Sequence, residues 1–497
     1  MARVEIGEHL APTEEISLET VKKRTVRGVV ALTGRTAILQ AVALAATFLL
    51  TIFLTPTQYG VFFLVSAVIN FFAYFSDIGL AAALIQKKEA ARDEELRTTF
   101  TIQQGLTILL VLIIVAATPL FQKLYGFSQQ SVYLLWALAA SLFLSSLKTI
   151  PSVILERQLK FEKLIIPQII ETFLFYGVAV LLAWRGAGIT SFTVAVLVRG
   201  IAGLIIIYIL QPWMPGFAFA RGPLARLLRF GLPYQANTFL AVAKDDGMTM
   251  VLGGILGPAG VGLLGWAQKW AQAPLRFFMD QVIKVTFPAF SRLQDDKKEL
   301  SHAVSRSIFF VSALVFPSLI GLVLLAGPLT EVIPKYDKWQ PALFALGLIT
   351  INSAWAAVTT PLTNMLTAIG KITVTFRLMI MWTTLTWLLV PALAALYHIN
   401  GAALGFAIVG TSSIFAILWA VRFVRFNFLE SVGKPVFASL VMGVFVFLVG
   451  NIIPLNLFGI IILVLSGIAF YLLLLYVIVG EQVLSDLKNV YATFRKG

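Results

Sequence analysis

Asn456-LFGIIILVLSGIAFYLLLLYVI-Val479 is a run of 24 residues without a charge. At ~1.5 Å of helical rise per residue it reaches across the ~30 Å hydrocarbon layer of a bilayer. Similar apolar runs recur back to the N-terminus, at about 30–54, 59–84, 98–120, 131–150, 164–184, 189–210, 230–254, 260–287, 304–327, 341–366, 373–397, 401–421 and 435–453, with 456–479 as the fourteenth. Short links join them, and none could house a soluble domain. The expected fold is therefore all-α: a polytopic membrane protein with 14 transmembrane helices.

Composition agrees. Of 497 residues, 59% are hydrophobic and 12% charged, against roughly 25% charged in a soluble domain. That excludes a soluble enzyme, a disordered chain and a secreted disulfide scaffold. There is no cysteine, hence no disulfide, thiolate site or cysteine nucleophile. The three histidines, His9, His302 and His398, are too scattered for a metal cluster. No cofactor or metal is expected.

The formal charge of +14 would suggest nucleic acid in a soluble protein. Here it sorts by side. Alternate links, starting with the N-terminal tail, hold 28 of the 38 lysines and arginines; the opposite links hold 4 and the spans 6. By the positive-inside rule the rich set is cytoplasmic, so both termini are cytoplasmic. No nucleic-acid partner is expected. Residues 1–28 are polar and of mixed charge, reading as a cytoplasmic tail and not as a secretory signal; 481–497 form a second such tail.

One internal echo stands out. Leu54-TPTQY-Gly60 links spans one and two, and Leu256-GPAGV-Gly262 links spans seven and eight. Both read L-x-P-x-x-x-G, 202 residues apart and six spans on. The organisation expected from it is an N-terminal half at 29–229, a C-terminal half at 230–434 and an added helix pair at 435–480. Because six is even, the halves share one orientation, related by an axis along the membrane normal.

Ionisable residues inside a span are costly and face a cavity or a partner. Lys244, Asp245 and Asp246 in span seven, Lys269 in span eight and Arg199 in span six all fall near the midplane, about 14–18 Å from an end. Either they line a polar central cavity, the preferred reading, or they form a buried ion-pair cluster. Gln272, Arg276, Asp280 and Lys284 continue from Lys269 along one helix face, as a polar stripe or as an i,i+4 ladder. Trp266 and Trp270 flank Lys269 and could stack on sugar, although packing is the commoner role of such rings. Asp77 and Arg35 lie near the cytoplasmic ends of spans two and one. Glu171 in span five could carry a proton or pair with Arg199. Asp77, Glu171 and Asp280 are the candidates for coupling or gating.

No Walker A sequence and no nucleotide-binding domain occurs, and the external links are too short for a polymerase or glycosyltransferase site. The chain reads as a secondary transporter, not an enzyme.

At this point a family resemblance enters. Leu54-TPTQYG-Val61, Asp77-IGLAAALIQ-Lys87, Glu156-RQLKFEKL-Ile165, Phe230-GLPYQAN-Thr238, Leu256-GPAGVGLLGWAQKWAQAP-Leu275 and Phe287-PAFSRLQDD-Lys297 resemble the Wzx-type polysaccharide flippases of the multidrug/oligosaccharidyl-lipid/polysaccharide exporter superfamily, in their WzxC-like branch. The resemblance covers about residues 25–480. It implies two helix bundles around a central cavity that opens alternately to each side of the bacterial inner membrane. The substrate implied is an undecaprenyl-diphosphate-linked oligosaccharide, with membrane lipids, a polysaccharide polymerase and export machinery as further partners. The product would be exopolysaccharide, capsule or O-antigen (lipopolysaccharide). Arg199, Lys244 and Lys269, and to a lesser degree Arg276, would meet the pyrophosphate. Asp245 and Asp246 would hydrogen-bond sugar hydroxyls or orient the lysines.

Three alternatives stand beside it. A drug/cation antiporter of the superfamily typically has twelve spans and an acid in the first half, where span one here has Arg35. A peptidoglycan lipid II flippase shares the span count and a cationic cavity. A non-transporting scaffold of a polysaccharide assembly complex would use the midplane charges structurally.

Overall fold

The computed structural model describes residues 38–87, 89–454 and 456–480. The 1–28 and 481–497 tails and Arg35 lie outside them. Every regular element among the described residues is helical. Eleven helices are long and apolar enough to cross a membrane, preceded by a shorter apolar helix. That helix is α1 (Ile38–Phe53). It is followed by α2 (Pro56–Ala73), α3 (Leu80–Gln86), α4 (Asp93–Ala116), α5 (Thr118–Tyr125), α6 (Gln129–Leu147), α7 (Thr149–Arg157), α8 (Phe161–Trp184) and α9 (Thr190–Leu210). Then come α10 (Arg221–Val242), α11 (Met248–Arg292), α12 (Lys297–Val332), α13 (Leu343–Ala368), α14 (Ile372–Thr411), α15 (Ile414–Val421), α16 (Lys434–Gly450) and α17 (Leu457–Val479).

Local chemistry sets the starts. Thr55 caps α2 in a capping box: Gln58 N donates to Thr55 Oγ1 at 3.3 Å and Thr55 N to Gln58 Oε1 at 2.9 Å, with Pro56 in the first turn. Asp93, Glu94 and Glu95 open α4, where negative charge suits the N-terminal end of the helix dipole. Asp296 caps α12 through Lys298 N and Glu299 N at 3.0 and 3.1 Å. Two long helices are broken by backbone geometry. Gly257 (φ 66, ψ 177) interrupts α11, and Tyr397 and His398 (φ 52) interrupt α14. Each break falls at an expected turn between spans.

The polarity of the surface is that of a membrane protein. α16 and α17 expose Leu440, Phe447, Leu465 and Leu472, while α4 buries Thr98, Thr99, Gln103, Gln104 and Thr107. Without water in the hydrocarbon core, polar side chains turn inward and apolar ones outward.

The chain gathers into two compact units, Met1–Gly262 and Leu263–Gly497. This grouping cuts later than the expected 229/230 division because α10 packs on α3 and the turn that follows α10 packs on α2. In the first unit Leu84, Leu96, Phe100, Ile150 and Val153 form one core where α3, α4 and α7 meet. In the second, α12 is the hub. It packs on α13 through Ile308, Leu362 and Met365, and on α16 and α17 through Ala313, Met442 and Tyr471, whose hydroxyl donates to Ala313 O at 2.8 Å.

α8 and α9 pack closely enough to need a glycine. A Cβ at Gly203 would fall 2.8 Å from Glu171 Cγ. Gly203→Ala is therefore expected to displace the Glu171 side chain and disturb its pairing with Lys148, at a cost of about 1–3 kcal/mol. A lower melting temperature of the detergent-purified protein would record it; an unchanged one would contradict the packing.

Candidate functional site

Each unit carries its own part of the expected site. In the first, a single π-helical turn, Ala243–Gly247, joins α10 to α11. Such turns inside α-helices are frequent at functional sites. This one holds Lys244, Asp245 and Asp246. Lys244 Nζ lies 3.4 Å from Asp245 Oδ1, whose side chain is 73% exposed. Asp246 Oδ1 accepts a hydrogen bond from Asn70 Nδ2 of α2 at 3.3 Å. The three consecutive charges therefore split two ways, one acid holding the lysine and the other tying two spans together.

Arg199 on α9 lies with its guanidinium 5.2 Å from the ring centroid of Phe175 on α8. That ring belongs to an aromatic column: Phe62 and Phe192 stack at 4.1 Å, and Phe62 lies 6.1 Å from Phe175. A cation over a ring is held by about 1 kcal/mol, so the guanidinium is oriented while its hydrogen-bond donors stay available. The suggested Glu171–Arg199 pair does not form. Glu171 Oε1 instead accepts from Lys148 Nζ at 2.6 Å. Lys148 stands at the end of α6 and reads in sequence as a topology charge, so its role as a partner was not visible there.

Asp77 serves local structure. Its Oδ1 accepts from Ala81 N at 3.1 Å, in the first turn of α3, and from Gln103 Nε2 of α4 at 2.6 Å. Nearby, the C-terminal end of α3 is anchored by charge. Lys87 Nζ lies 2.8 Å from Glu95 Oε2, and Arg157 donates to the carbonyls of Leu84, Lys87 and Glu89 at the end of α3.

In the second unit, Lys269, Arg276 and Lys284 on α11 are exposed. Among the described residues no carboxylate lies within 4.0 Å of Lys269 Nζ or of the Arg199 guanidinium. Arg276 donates to Gln272 Oε1 at 3.2 Å, one turn back along the expected stripe. The Asp280 side chain, on which the ladder reading depends, lies outside those described. Trp266 is 3% exposed, stacks on Trp339 at 5.4 Å and 12°, and donates from Nε1 to the Tyr336 hydroxyl at 3.1 Å. It is a packing residue. Trp270 is half-buried.

Comparison with known proteins gives a consistent pattern. A family described as "Polysaccharide biosynthesis protein" matches residues 49–343. The chain is 24% identical to the succinoglycan biosynthesis transport protein ExoT of Rhizobium meliloti, over 74% of this chain and 71% of that one. It is 23% identical to the lipopolysaccharide biosynthesis protein WzxC of Escherichia coli K12, over 71% of each. Among solved structures, the lipid II flippase MurJ in an inward closed conformation superposes with a TM-score of 0.74 at 18% identity, covering 91% of this chain and all of that one. An inward-facing multidrug resistance MATE transporter gives 0.57 at 18% identity, over 78% and 94%. These likenesses establish the fold.

The aromatic stack predicts a separation of effects. Trp266→Leu is expected to lower the melting temperature by several degrees while transport per correctly folded molecule is retained. Lost transport at an unchanged melting temperature would make the ring a substrate platform instead.

Proposed function

The chain belongs to the polysaccharide biosynthesis protein family, and from that premise we propose that it flips undecaprenyl-diphosphate-linked oligosaccharide repeat units from the inner to the outer leaflet of the bacterial inner membrane, by alternating access. The observation that carries the reading is the pair of span cations, Arg199 and Lys269, without a carboxylate within 4.0 Å among the described residues. A cation left unpaired at that depth is costly, and an anionic substrate is what offsets the cost. The relatives ExoT and WzxC, named for succinoglycan transport and lipopolysaccharide biosynthesis, support the polysaccharide direction.

The span count we propose is fourteen, in two six-helix halves, 29–229 and 230–434, with 435–480 as an added pair. Support comes from adding α1 to the eleven long helices and dividing two of them at Gly257 and His398. With both termini cytoplasmic, the diphosphate enters from the inner leaflet and meets Arg199, Lys244, Lys269 and Arg276. Lys244 reaches it by leaving Asp245, a loose 3.4 Å partner. The sugar crosses among polar groups while the polyprenyl tail stays in the bilayer, because phosphates and hydroxyls cannot cross ~30 Å of hydrocarbon unpaired. On the far side a polymerase and export machinery consume the product.

Reconstituted into liposomes with labelled lipid-linked oligosaccharide, the double variant Lys244→Ala/Lys269→Ala is expected to flip at least tenfold more slowly, with normal expression and monodispersity. Lys244→Arg/Lys269→Arg is expected to recover part of the rate, since the charge remains. Wild-type flipping by the double alanine variant would remove these residues from the substrate path.

A further inference from the structure

The sequence echo is realised as physical contact. Within the first compact unit the turn between α1 and α2 and the turn at Gly257 lie backbone against backbone. A Cβ on Gly60 would collide with the Pro258 carbonyl oxygen and stand 2.7 Å from Gly262 N. A Cβ on Gly262 would collide with the Pro56 carbonyl oxygen and stand 2.9 Å from Gly60 N. The relation is reciprocal: each repeat's glycine meets the other repeat's proline carbonyl.

Beyond the other end of α2 a second glycine pair forms, with Gly231 of α10 instead of the turn after span seven. A Cβ on Gly79 would stand 2.7 Å from Gly231 Cα, and one on Gly231 would stand 2.8 Å from Ile78 O. Between the pairs the contact is made by side chains. Asn70 donates to Asp246 at 3.3 Å. Phe239 lies 5.7 Å from Tyr74, 5.9 Å from Phe75 and 6.4 Å from Phe71. Gln235 Nε2 donates to Tyr74 O. Residues 56–79 and the segment 231–262 thus run antiparallel and in contact along their length, with glycine backbone contacts at the two ends.

Each glycine pair also adjoins a backbone break. Gly257 (φ 66) stands beside the Gly60–Gly262 pair. Ile78 (φ 45) and Gly79 (φ 77) stand at the other. A β-branched residue with positive φ is an unusual conformation, and a few residues at element ends are where hinge motion is absorbed.

We propose that Gly60–Gly262 and Gly79–Gly231 are the outer and inner closures of the transport path, and that this structure holds both shut. The proposal rests on the alternating-access reading above. A carrier of that kind must part its elements at one end at a time, and here like contacts seal both ends of the surface that α2 presents to the segment 231–262. Backbone against backbone leaves no flexible side chain to bridge a partial gap, so each closure is either made or broken. A methyl group on one of these glycines is incompatible with the closed form and favours the open one at that end.

The absence of cysteine makes the test clean. Asn70→Cys, exposed between the two pairs, serves as reporter to a membrane-impermeant maleimide in vesicles of known sidedness. With the reporter alone, labelling is slow from both sides. Adding Gly60→Ala should raise labelling several-fold from the outer side only; adding Gly231→Ala should raise it from the inner side only. Unchanged labelling from both sides in either well-folded variant overturns the proposal. If an alanine variant does not fold, a second arm decides. Thr57→Cys and Ala259→Cys, each one residue after a contacting proline, are joined with a reducible bifunctional reagent in otherwise unaltered protein. Joining them should stop transport, and reduction should restore it; transport that continues while they are joined overturns the outer closure. Should the labelling shift as expected while the unaltered protein moves no lipid-linked oligosaccharide, the closures stand and the substrate reading fails.

Discussion

A backbone N–H or C=O inside hydrocarbon has no water to bond, and each one left unmet costs several kcal/mol. That constraint makes every regular element helical, and it gives meaning to each departure from the α-helix. Gly257 and His398 break two long helices where expected spans meet, so the carbonyls they release belong to turns. The π turn at Ala243–Gly247 is different, because it lies within an expected span. A turn wound one residue wider re-aims the side chains it carries, and here those are Lys244, Asp245 and Asp246. A backbone irregularity within an expected span thus coincides with three consecutive ionisable side chains.

Charge shows the same economy of placement. The net +14 sits mostly on alternate links, the pattern that the positive-inside rule expects. Inside the spans acids and bases nearly cancel by count, which would suggest a neutral interior. Contacts tell otherwise. Asp77 bonds Ala81 N and Gln103, Glu171 holds Lys148, Asp245 holds Lys244 and Asp246 accepts from Asn70. Arg199 rests on a ring, and Lys269 has no carboxylate within 4.0 Å among the described residues. Among the described residues the acids are largely engaged by the protein, while no carboxylate pairs with those two cations. A sum over residues hides that difference; only pairing reveals it.

Much of this was legible beforehand, and the remainder was hidden for definite reasons. Span positions follow from hydropathy over ~20 residues, a local property, so the helices fall where the apolar runs lie. Pairing is not local. Lys148 reads as a link charge until α6 and α8 bring it 2.6 Å from Glu171. Trp266 reads as an aromatic beside Lys269 until Trp339 and Tyr336, some 70 residues on, close around it. The L-x-P-x-x-x-G echo suggested a repeat, but not that its two copies touch. Glycine contacts leave no side-chain pattern from which a partner could be inferred.

The composition of the α2 zipper bears on how easily it opens. Neither glycine pair contains an ion pair, and packed backbone atoms contribute only ~0.1–0.2 kcal/mol per atom contact. The one charged rung, Asn70 to Asp246, is a neutral donor on a carboxylate, worth about 1.5–3 kcal/mol and recoverable by water on opening. Parting one end therefore costs a few kcal/mol, far less than unfolding a helix. A ligand shifts a two-state equilibrium from 1:99 to 99:1 with about 5.5 kcal/mol of differential binding. A diphosphate gathering cations that lack carboxylate partners can supply a difference of that size. Glycine closures keep the barrier within reach of the substrate's own binding energy.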